Sequence, residues 1–501
     1  MQPDPSVYLR ALRREALSVE LFGAGLQSGA SCVIMQRSAE VLAHLIVRRE
    51  HLPVLLRKCL PEQRAALHAI ETRLRERGVA VPTSLTWALT AAHPTNAEPT
   101  ETDIGNYDRI VEGLADGIRA MRERCSSSPE DTAFVSELCR TLAQSELMLR
   151  EEITLRLTAT RQVVSNDAEP APPLPPPTKD ALSTYLRARF ANHTALKVVN
   201  IQRLVGDNSK DIFFFDLDGA RDLNGSYVMR REPAYNVTRA SLAREEPLLR
   251  YLREAGLPVP RVLLGEDDPR HFGGGFIVTE KLPGAPRGTS QLGDRGVEIV
   301  RQLARILVRI HGVDIIPGLP QLADAGTSTR QRVLAKVNAM SRRWIAERSE
   351  DALAIESAYQ WLVTHADELD DTAVLSHGDF SLRNVLLDGD RISAILDWEL
   401  CCVSHPGEDL AYIRPWVVPV MPWPEFMAIY RDESRRDVSS FALFYFSVWT
   451  KFWNAVIGAS VYSGYHLNKH RNFVFASVAC VEYFDNLETL SRLIAQPSAF
   501  D

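Results

Sequence analysis

The chain has 501 residues, 45% of them hydrophobic, which is enough for two or three domains with sizeable cores. Its formal net charge of −7 argues against a nucleic-acid partner, which normally meets a basic face. The seven cysteines, at 32, 59, 125, 139, 401, 402 and 480, are scattered, and no C-x-x-C pair occurs. That excludes a disulfide framework or zinc site as the organising device and favours a reducing, cytoplasmic setting.

The first residues, MQPDPSVYLRALRREAL, lack the apolar core of a secretory signal. From there to residue 163 the apolar spacing is helical throughout. Leu9, Leu12, Ala16 and Val19 make one face, and Val41, Leu42, Leu45 and Ile46 another. Pro61 opens a helix at Glu62. Ser128, with Asp131 three residues on, starts a helix expected to run to about Arg161. A four- or five-helix bundle follows over residues 1–163. His44, His51, His68 and His93 are isolated in it, and no catalytic constellation is present. Its expected role is stabilisation or contact with a partner, either a protein or a second copy of the chain. Residues 164–178, VSNDAEPAPPLPPPT, are a proline-rich linker. In polyproline geometry about fifteen residues span roughly 45 Å at ~3.1 Å each.

Beyond Lys179 the pattern changes. A helix is expected at 180–191, then strands at 196–204 and 212–217 around the turn Gly206-Asp207-Asn208-Ser209-Lys210-Asp211. A strand at 227–230 and a helix at 240–255 follow. Leu257-Pro258-Val259-Pro260 ends that helix, and a strand at 276–280 runs into Lys281-Leu282-Pro283-Gly284. Val300, Leu303, Ala304, Leu307 and Ile310 mark the buried face of a helix at 297–311, closed by His311 as a cap. An amphipathic helical region spans 329–369, with Trp344 and Trp361 as packing residues.

The stretch LSHGDFSLRNVLLDGDRISAILDWEL, 375–400, carries the chemistry. His377-Gly378-Asp379 is followed by Asn384 and, after a hairpin turning at Gly389, by Asp397. The hairpin sets Asn384 and Asp397 on neighbouring strand ends, within reach of one ion, with Asp379 on the loop before them. Phosphoryl transfer needs this set. An aspartate accepts the proton of an attacking hydroxyl, while an asparagine and a second aspartate hold Mg²⁺ on the nucleotide phosphates. His377 is read as the residue that holds the loop. Asp409, at a helix start after Pro406, is read as a brace on the loop amides. Glu399 is assigned to metal-bound water or to the acceptor. The apolar stretch 441–462 is interrupted by Lys451 and Asn454 and reads as a buried helix, so no membrane span is expected. Phe441, Phe444, Tyr445, Phe446, Trp449, Phe452 and Trp453 are mostly core.

HGDFSLRN, ILDWEL, HPGEDLAY at 405–412 and GASVYSGY at 458–465 give the chain a family likeness. The segment of about 180–495 resembles the aminoglycoside phosphotransferase and choline kinase family. It is most similar to the kinase-like domain fused to some acyl-CoA dehydrogenases. The resemblance implies an α+β bilobal, protein-kinase-like fold behind the helical bundle. The small lobe would be 179–284 and the larger lobe 285–501. It implies ATP and Mg²⁺ as cofactors. Asp379 becomes the catalytic base, and Asn384 and Asp397 the metal ligands. Gly206 and Ser209 belong to the phosphate-covering loop, although Lys210-Asp211-Ile212 departs from the usual small turn. Arg230 takes the phosphate-binding cation position, with Glu245 as its partner and Glu246 as second choice. Glu280, Lys281 and Leu282 form the hinge whose backbone meets the adenine edge.

The expected acceptor is a small-molecule hydroxyl, in particular a hydroxyacyl compound or hydroxyacyl-CoA. Aminoglycosides are the alternative substrate class, against which stands the absence of any carboxylate in 441–465. A nucleotide-binding pseudokinase or scaffold is the alternative of a different class, and its support is the unusual 206–212 turn.

Overall fold

Alternating side chains build the sheet that carries the site. In the computed structural model, β1 (Lys197–Arg203), β2 (Asp211–Asp218), β3 (Gly225–Arg231), β4 (Val262–Glu266) and β5 (Phe276–Glu280) form one antiparallel sheet in the order β1-β2-β3-β5-β4. The structure describes residues 51–91, 101–125, 128–138, 174–204, 210–315, 327–348, 352–466 and 473–495. On one face Phe213, Phe215, Leu217, Tyr227 and Met229 pack with Leu182 and Leu186 of the helix Lys179–Arg189. The alternation follows from the two-residue period of a strand. It leaves Arg230 on the opposite face, paired across the ladder with Ile212 and Ile277. The helix expected at 240–255 is shorter, Glu245–Glu254. Before it the Leu242 amide is taken by the Glu232 carboxylate (2.9 Å) rather than by a helical carbonyl.

The chain falls into two compact units that interleave along the sequence. One comprises Met1–Glu169, Val337–His365 and Lys451–Asp501, and the other Pro170–Lys336 and Ala366–Thr450. The second unit holds the sheet, the helix Gly296–His311 and a small set of short strands. These are β6 (Val374–Ser376), β7 (Val385–Asp388), β8 (Arg391–Ile395) and β9 (Cys402–Ser404), with β6 paired to β9 and β7 to β8. The helices Gly407–Val417 and Trp423–Ser434 follow. Gly284 joins the two parts of this unit with φ +105°, and a Cβ there would lie 2.6 Å from the Leu387 carbonyl oxygen. The following Ala285 makes two backbone bonds of 3.1 Å with Leu387, so the connector runs directly against β7. Only glycine fits so close an approach with a positive φ.

In the first unit, His51–Glu76, Thr83–Ala91 and Glu101–Cys125 are helical, as are residues 129–138. The single region expected at 329–369 is two helices, Thr329–Glu347 and Leu353–His365. Leu353 packs with Ile70, Leu74, Leu114, Ile118 and Met121. Glu356 is buried against Arg119 (3.1 Å) and Arg122. Asp131, expected as a capping acid, instead turns its carboxylate to Arg73 (2.5 Å) and Arg77 (2.9 Å). The faces read at Leu9–Val19 and Val41–Ile46, and the continuation of the Ser128 helix beyond 138, lie outside the described residues. So do residues 164–173 of the proline-rich segment. Its end is fixed: the carbonyls of Leu174 (3.3 Å) and Pro175 (2.8 Å) accept bonds from the buried Arg231 guanidinium. Among the described residues no helix is long and apolar enough to cross a membrane.

Candidate active site

The loop after β6 is held from below by one carboxylate. Asp409, in the first turn of Gly407–Val417 and fully buried, accepts the amides of His377 (2.8 Å) and Gly378 (2.9 Å). It also bonds Nε2 of His311 at 3.1 Å, and His311 Nδ1 meets the Tyr430 hydroxyl at 2.8 Å. Burial works against the Asp409 charge. The His311 bond and the loop amide outweigh it and hold the carboxyl below its ordinary value. His311 is thus a buried link between Asp409 and Tyr430 and not a helix cap. The cap position is Gly312. His377 Nε2 reaches the Leu396 carbonyl (2.9 Å) and its Nδ1 accepts the Asp379 amide (3.2 Å), which ties the loop to the end of the hairpin. Gly378 has φ +81°, and a Cβ on it would sit 2.6 Å from the Leu400 carbonyl oxygen.

Asp379 and Asn384 are bonded to each other. Asn384 Nδ2 donates to the Asp379 carbonyl and to Oδ2, both at 2.9 Å. Tyr412, from the same helix as Asp409, also bonds the Asp379 carboxylate. Burial lifts the Asp379 carboxyl above its usual range, and Asp397 adds to the rise. The Leu396 amide donates to the Asn384 carbonyl (2.8 Å), placing Asn384 beside the residue that precedes Asp397. Asp397 itself is in the left-handed region, φ 64° and ψ 61°.

Two cations of the sheet meet the Asp397 turn. Arg230 Nη1 lies 3.2 Å from Asp397 Oδ1, and Arg230 Nη2 bonds Glu245. Glu246 does not take part, because its carboxylate accepts the Gly265 amide (2.6 Å) and pairs with Arg250. Burial pushes the Glu245 carboxyl up to about 7, with Arg230 pulling the other way. Arg230 is also penalised by burial, but Glu245 and Asp397 outweigh the penalty and strengthen its hold on the proton. The second cation, Lys210, was read from the sequence as part of an unusual turn. It is buried, with Nζ 2.7 Å from Glu399 Oε2 and 3.3 Å from the Thr238 hydroxyl. Glu399 is therefore paired with a lysine, where the sequence reading gave it metal-bound water or the acceptor.

The remaining expected contacts divide. Gly206 and Ser209 lie outside the described residues. At the hinge, the Glu280 amide donates to the Arg261 carbonyl and the Lys281 amide to the Ser226 carbonyl, both at 2.9 Å. Those two backbone donors are therefore already engaged. The Glu280 carboxylate accepts the Arg261 amide (2.7 Å) and pairs with Arg253 (3.0 Å), and the Lys281 ammonium lies 4.8 Å over the Phe214 ring.

The donor set suits Mg²⁺. Asn384 has its amide nitrogen committed to Asp379, so its carbonyl oxygen is the ligand atom left. Asp397 bonds Arg230 through Oδ1. Two oxygen ligands match an ion that takes few protein ligands and keeps its waters. Among the described residues no three His, Cys, Asp or Glu side chains converge on a metal.

Comparison with known proteins gives a family likeness for part of the chain. Residues 200–444 match the profile of the phosphotransferase enzyme family, APH. Over these residues the chain is similar to that family. Acyl-CoA dehydrogenase family member 10 of Mus musculus is 24% identical over 347 residues, covering 62% of this chain and 31% of that protein. Family member 11 of Homo sapiens is 27% identical over 219 residues, 39% of this chain and 26% of that protein. The chain spans about a third or less of these curated relatives. Among solved structures, a putative aminoglycoside phosphotransferase from Ralstonia eutropha aligns at 19% identity with a TM-score of 0.44, covering 62% of this chain and 98% of that one. A macrolide 2'-phosphotransferase from Brachybacterium faecium aligns at 19% identity and TM-score 0.42, covering 61% and 98%.

Proposed function

We propose that the phosphotransferase-like domain moves a phosphoryl group from ATP to a hydroxyl of a small molecule. The observation that carries this reading is the joined set Asp379, Asn384, Asp397 and Arg230. Asp379 takes the hydroxyl proton through the carboxylate that Asn384 orients. Asn384 and Asp397 hold Mg²⁺, which when bound neutralises phosphate charge as the group transfers. Arg230, anchored by Glu245, meets the phosphates with a fork of donors, a role that arginine's permanent charge suits. The loop containing Gly206 and Ser209 covers the phosphates, and the Leu282 backbone, with the carbonyls of Glu280 and Lys281, meets the adenine edge.

For the acceptor we favour a hydroxyacyl compound or its CoA ester. The likeness to a kinase-like domain fused to acyl-CoA dehydrogenases supports it. So does the segment 441–465, which has aromatic residues and no carboxylate to meet an aminoglycoside's ammonium groups. The helical residues 1–163 serve as a stabilising or partner-binding part, with 164–178 as its linker, in a cytoplasmic protein. Calorimetry of ATP with and without Mg²⁺, followed by turnover on hydroxy acids, their CoA esters and aminoglycosides, tests the whole reading. Binding without turnover on any acceptor would favour a nucleotide-binding scaffold.

A further inference from the structure

The turn Asp397-Trp398-Glu399 presents two acids, and each is met by one cation of the sheet. Arg230 from β3 meets Asp397 at 3.2 Å, and Lys210, just before β2, meets Glu399 at 2.7 Å. The two pairs differ in access. The Arg230 and Asp397 side chains are 16% and 27% exposed, whereas those of Lys210 and Glu399 are 4% and 5%. A ligand entering from solvent can reach the first pair and separate its members. It cannot reach the second without unpacking it. Thr238, from the segment between β3 and Glu245–Glu254, completes the inner pair. Its hydroxyl lies 3.1 Å from the same Glu399 oxygen and 3.3 Å from the Lys210 ammonium.

The backbone gives this inner pair something to hold. Asp397 has φ 64°, one of three positive values among the non-glycine residues described. An L-residue in that region costs energy, and its neighbours must fix it. Trp398 is buried with Nε1 on the Ile395 carbonyl (3.1 Å), which anchors the turn on the hairpin side. Glu399 anchors it on the sheet side. We propose that the Lys210–Glu399 pair is a buried pivot that keeps the Asp397 turn in its metal-ligating shape, so that Lys210 is a positioning residue for the Mg²⁺–nucleotide site. The inference rests on the reading of Asp397 as a metal ligand. With nucleotide bound, Arg230 would release Asp397 to hold the metal, while Lys210 would keep Glu399.

The test is the affinity for ATP measured by calorimetry, once with Mg²⁺ and once in EDTA. Lys210→Met and Glu399→Gln each leave one buried charge unpaired. Each is expected to lower the Mg²⁺-dependent affinity about tenfold or more, with EDTA affinity within about twofold, and the double variant is expected to recover most of the loss, because the members of a contacting pair do not add. Thr238→Ala removes the hydroxyl that bridges Glu399 and Lys210 while leaving both charges in place. It covers the case where a single charge variant fails to fold, and a fall of about threefold in the Mg²⁺-dependent affinity alone is expected. Losses that are equal with and without Mg²⁺, or a double variant that sums its singles, overturn the pivot. A wild-type chain that shows Mg²⁺-dependent binding while the variants keep it overturns the pivot alone. A wild-type chain with no Mg²⁺-dependent binding overturns the nucleotide reading and the pivot together.

Discussion

Two buried arginine–carboxylate clusters invite comparison, one in each compact unit. In the helical unit Glu356 lies between Arg119 and Arg122, and Arg119 also bonds Asp116. Among the described residues two bases meet two acids there. Burial would raise the Glu356 carboxyl, but the arginines outweigh it and leave it below its ordinary value. In the sheet-bearing unit Arg230 is shared between Glu245 and Asp397, and Lys210 holds Glu399, so three acids share two bases. There the Glu245 carboxyl is raised to about 7. The same side chains thus make a closed, balanced cluster in one place and an acid-rich one in the other. An acid-rich buried cluster must take up a proton or a cation, and perturbed carboxyls of this kind gather at functional sites. A balanced one only supports the fold.

The comparison breaks at its chemical end if Asp379 is dispensable. Asp379→Asn is expected to cut turnover by ~10²–10⁴-fold, the usual worth of a general base, while ATP affinity measured by calorimetry stays near that of the wild type. On the balanced side, Glu356→Ala removes the buried acid that Arg119 and Arg122 share. A loss of ~3–5 kcal/mol in unfolding free energy is expected from breaking such a pair, read from denaturant melts. A loss near zero would mean that this cluster is not what holds its helices together. Asp397→Ala removes an acid from the other cluster, and Mg²⁺-dependent ATP affinity is expected to fall by at least the ~10–100-fold that losing an outer partner of a metal costs. Equal affinities with and without Mg²⁺ in the wild type and the variant would place the metal elsewhere.

The smallest effect is on pH dependence, and its sign separates the clusters. Glu245 has a folded-state pKa raised from 4.5 to about 7, so the stability linked to its proton is present below about 4.5 and is lost as pH rises through about 7. Glu356 is lowered, so its contribution is present above 4.5 and lost as pH falls further. Melting curves of nucleotide-free Glu245→Gln between pH 4.5 and 7 should therefore decline less than those of the wild type. Parallel curves would show that Glu245 is ionised throughout this range.

What could be read from the sequence was local. The spacing from Asp379 to Asn384 to Asp397 is set by one loop and one hairpin. Its alternating apolar residues and Gly389 turn announce themselves, and the structure places the three residues together. Asp409 was also readable, because an acid at a helix start has a stated use for backbone amides. Lys210 was not, since its partners Thr238 and Glu399 stand far away in the chain and leave no periodic trace near it. His311 misled for the same reason. At a helix end a histidine reads as a cap, and only the folded chain reveals Asp409 and Tyr430 beside it. The helix Leu353–His365 gave no sign that its Glu356 answers Arg119 and Arg122. Its residues from Leu353 to Ala358 are buried all round the helix, with no periodic face that names their neighbours, so the interleaving of the units was not visible from linear order.

The Arg231 guanidinium fastens the N-terminal part of the sheet-bearing unit to the sheet. It is 1% exposed, and it binds the Leu174 and Pro175 carbonyls as well as Asp211 (2.6 Å) and the Phe272 carbonyl (2.8 Å). A protease that cuts at Leu174, four residues before the helix cap at Thr178, therefore works against a buried cation. Digestion past that point strips two acceptors from a buried cation at the end of β3, so a stable digest should keep Leu174 and Pro175.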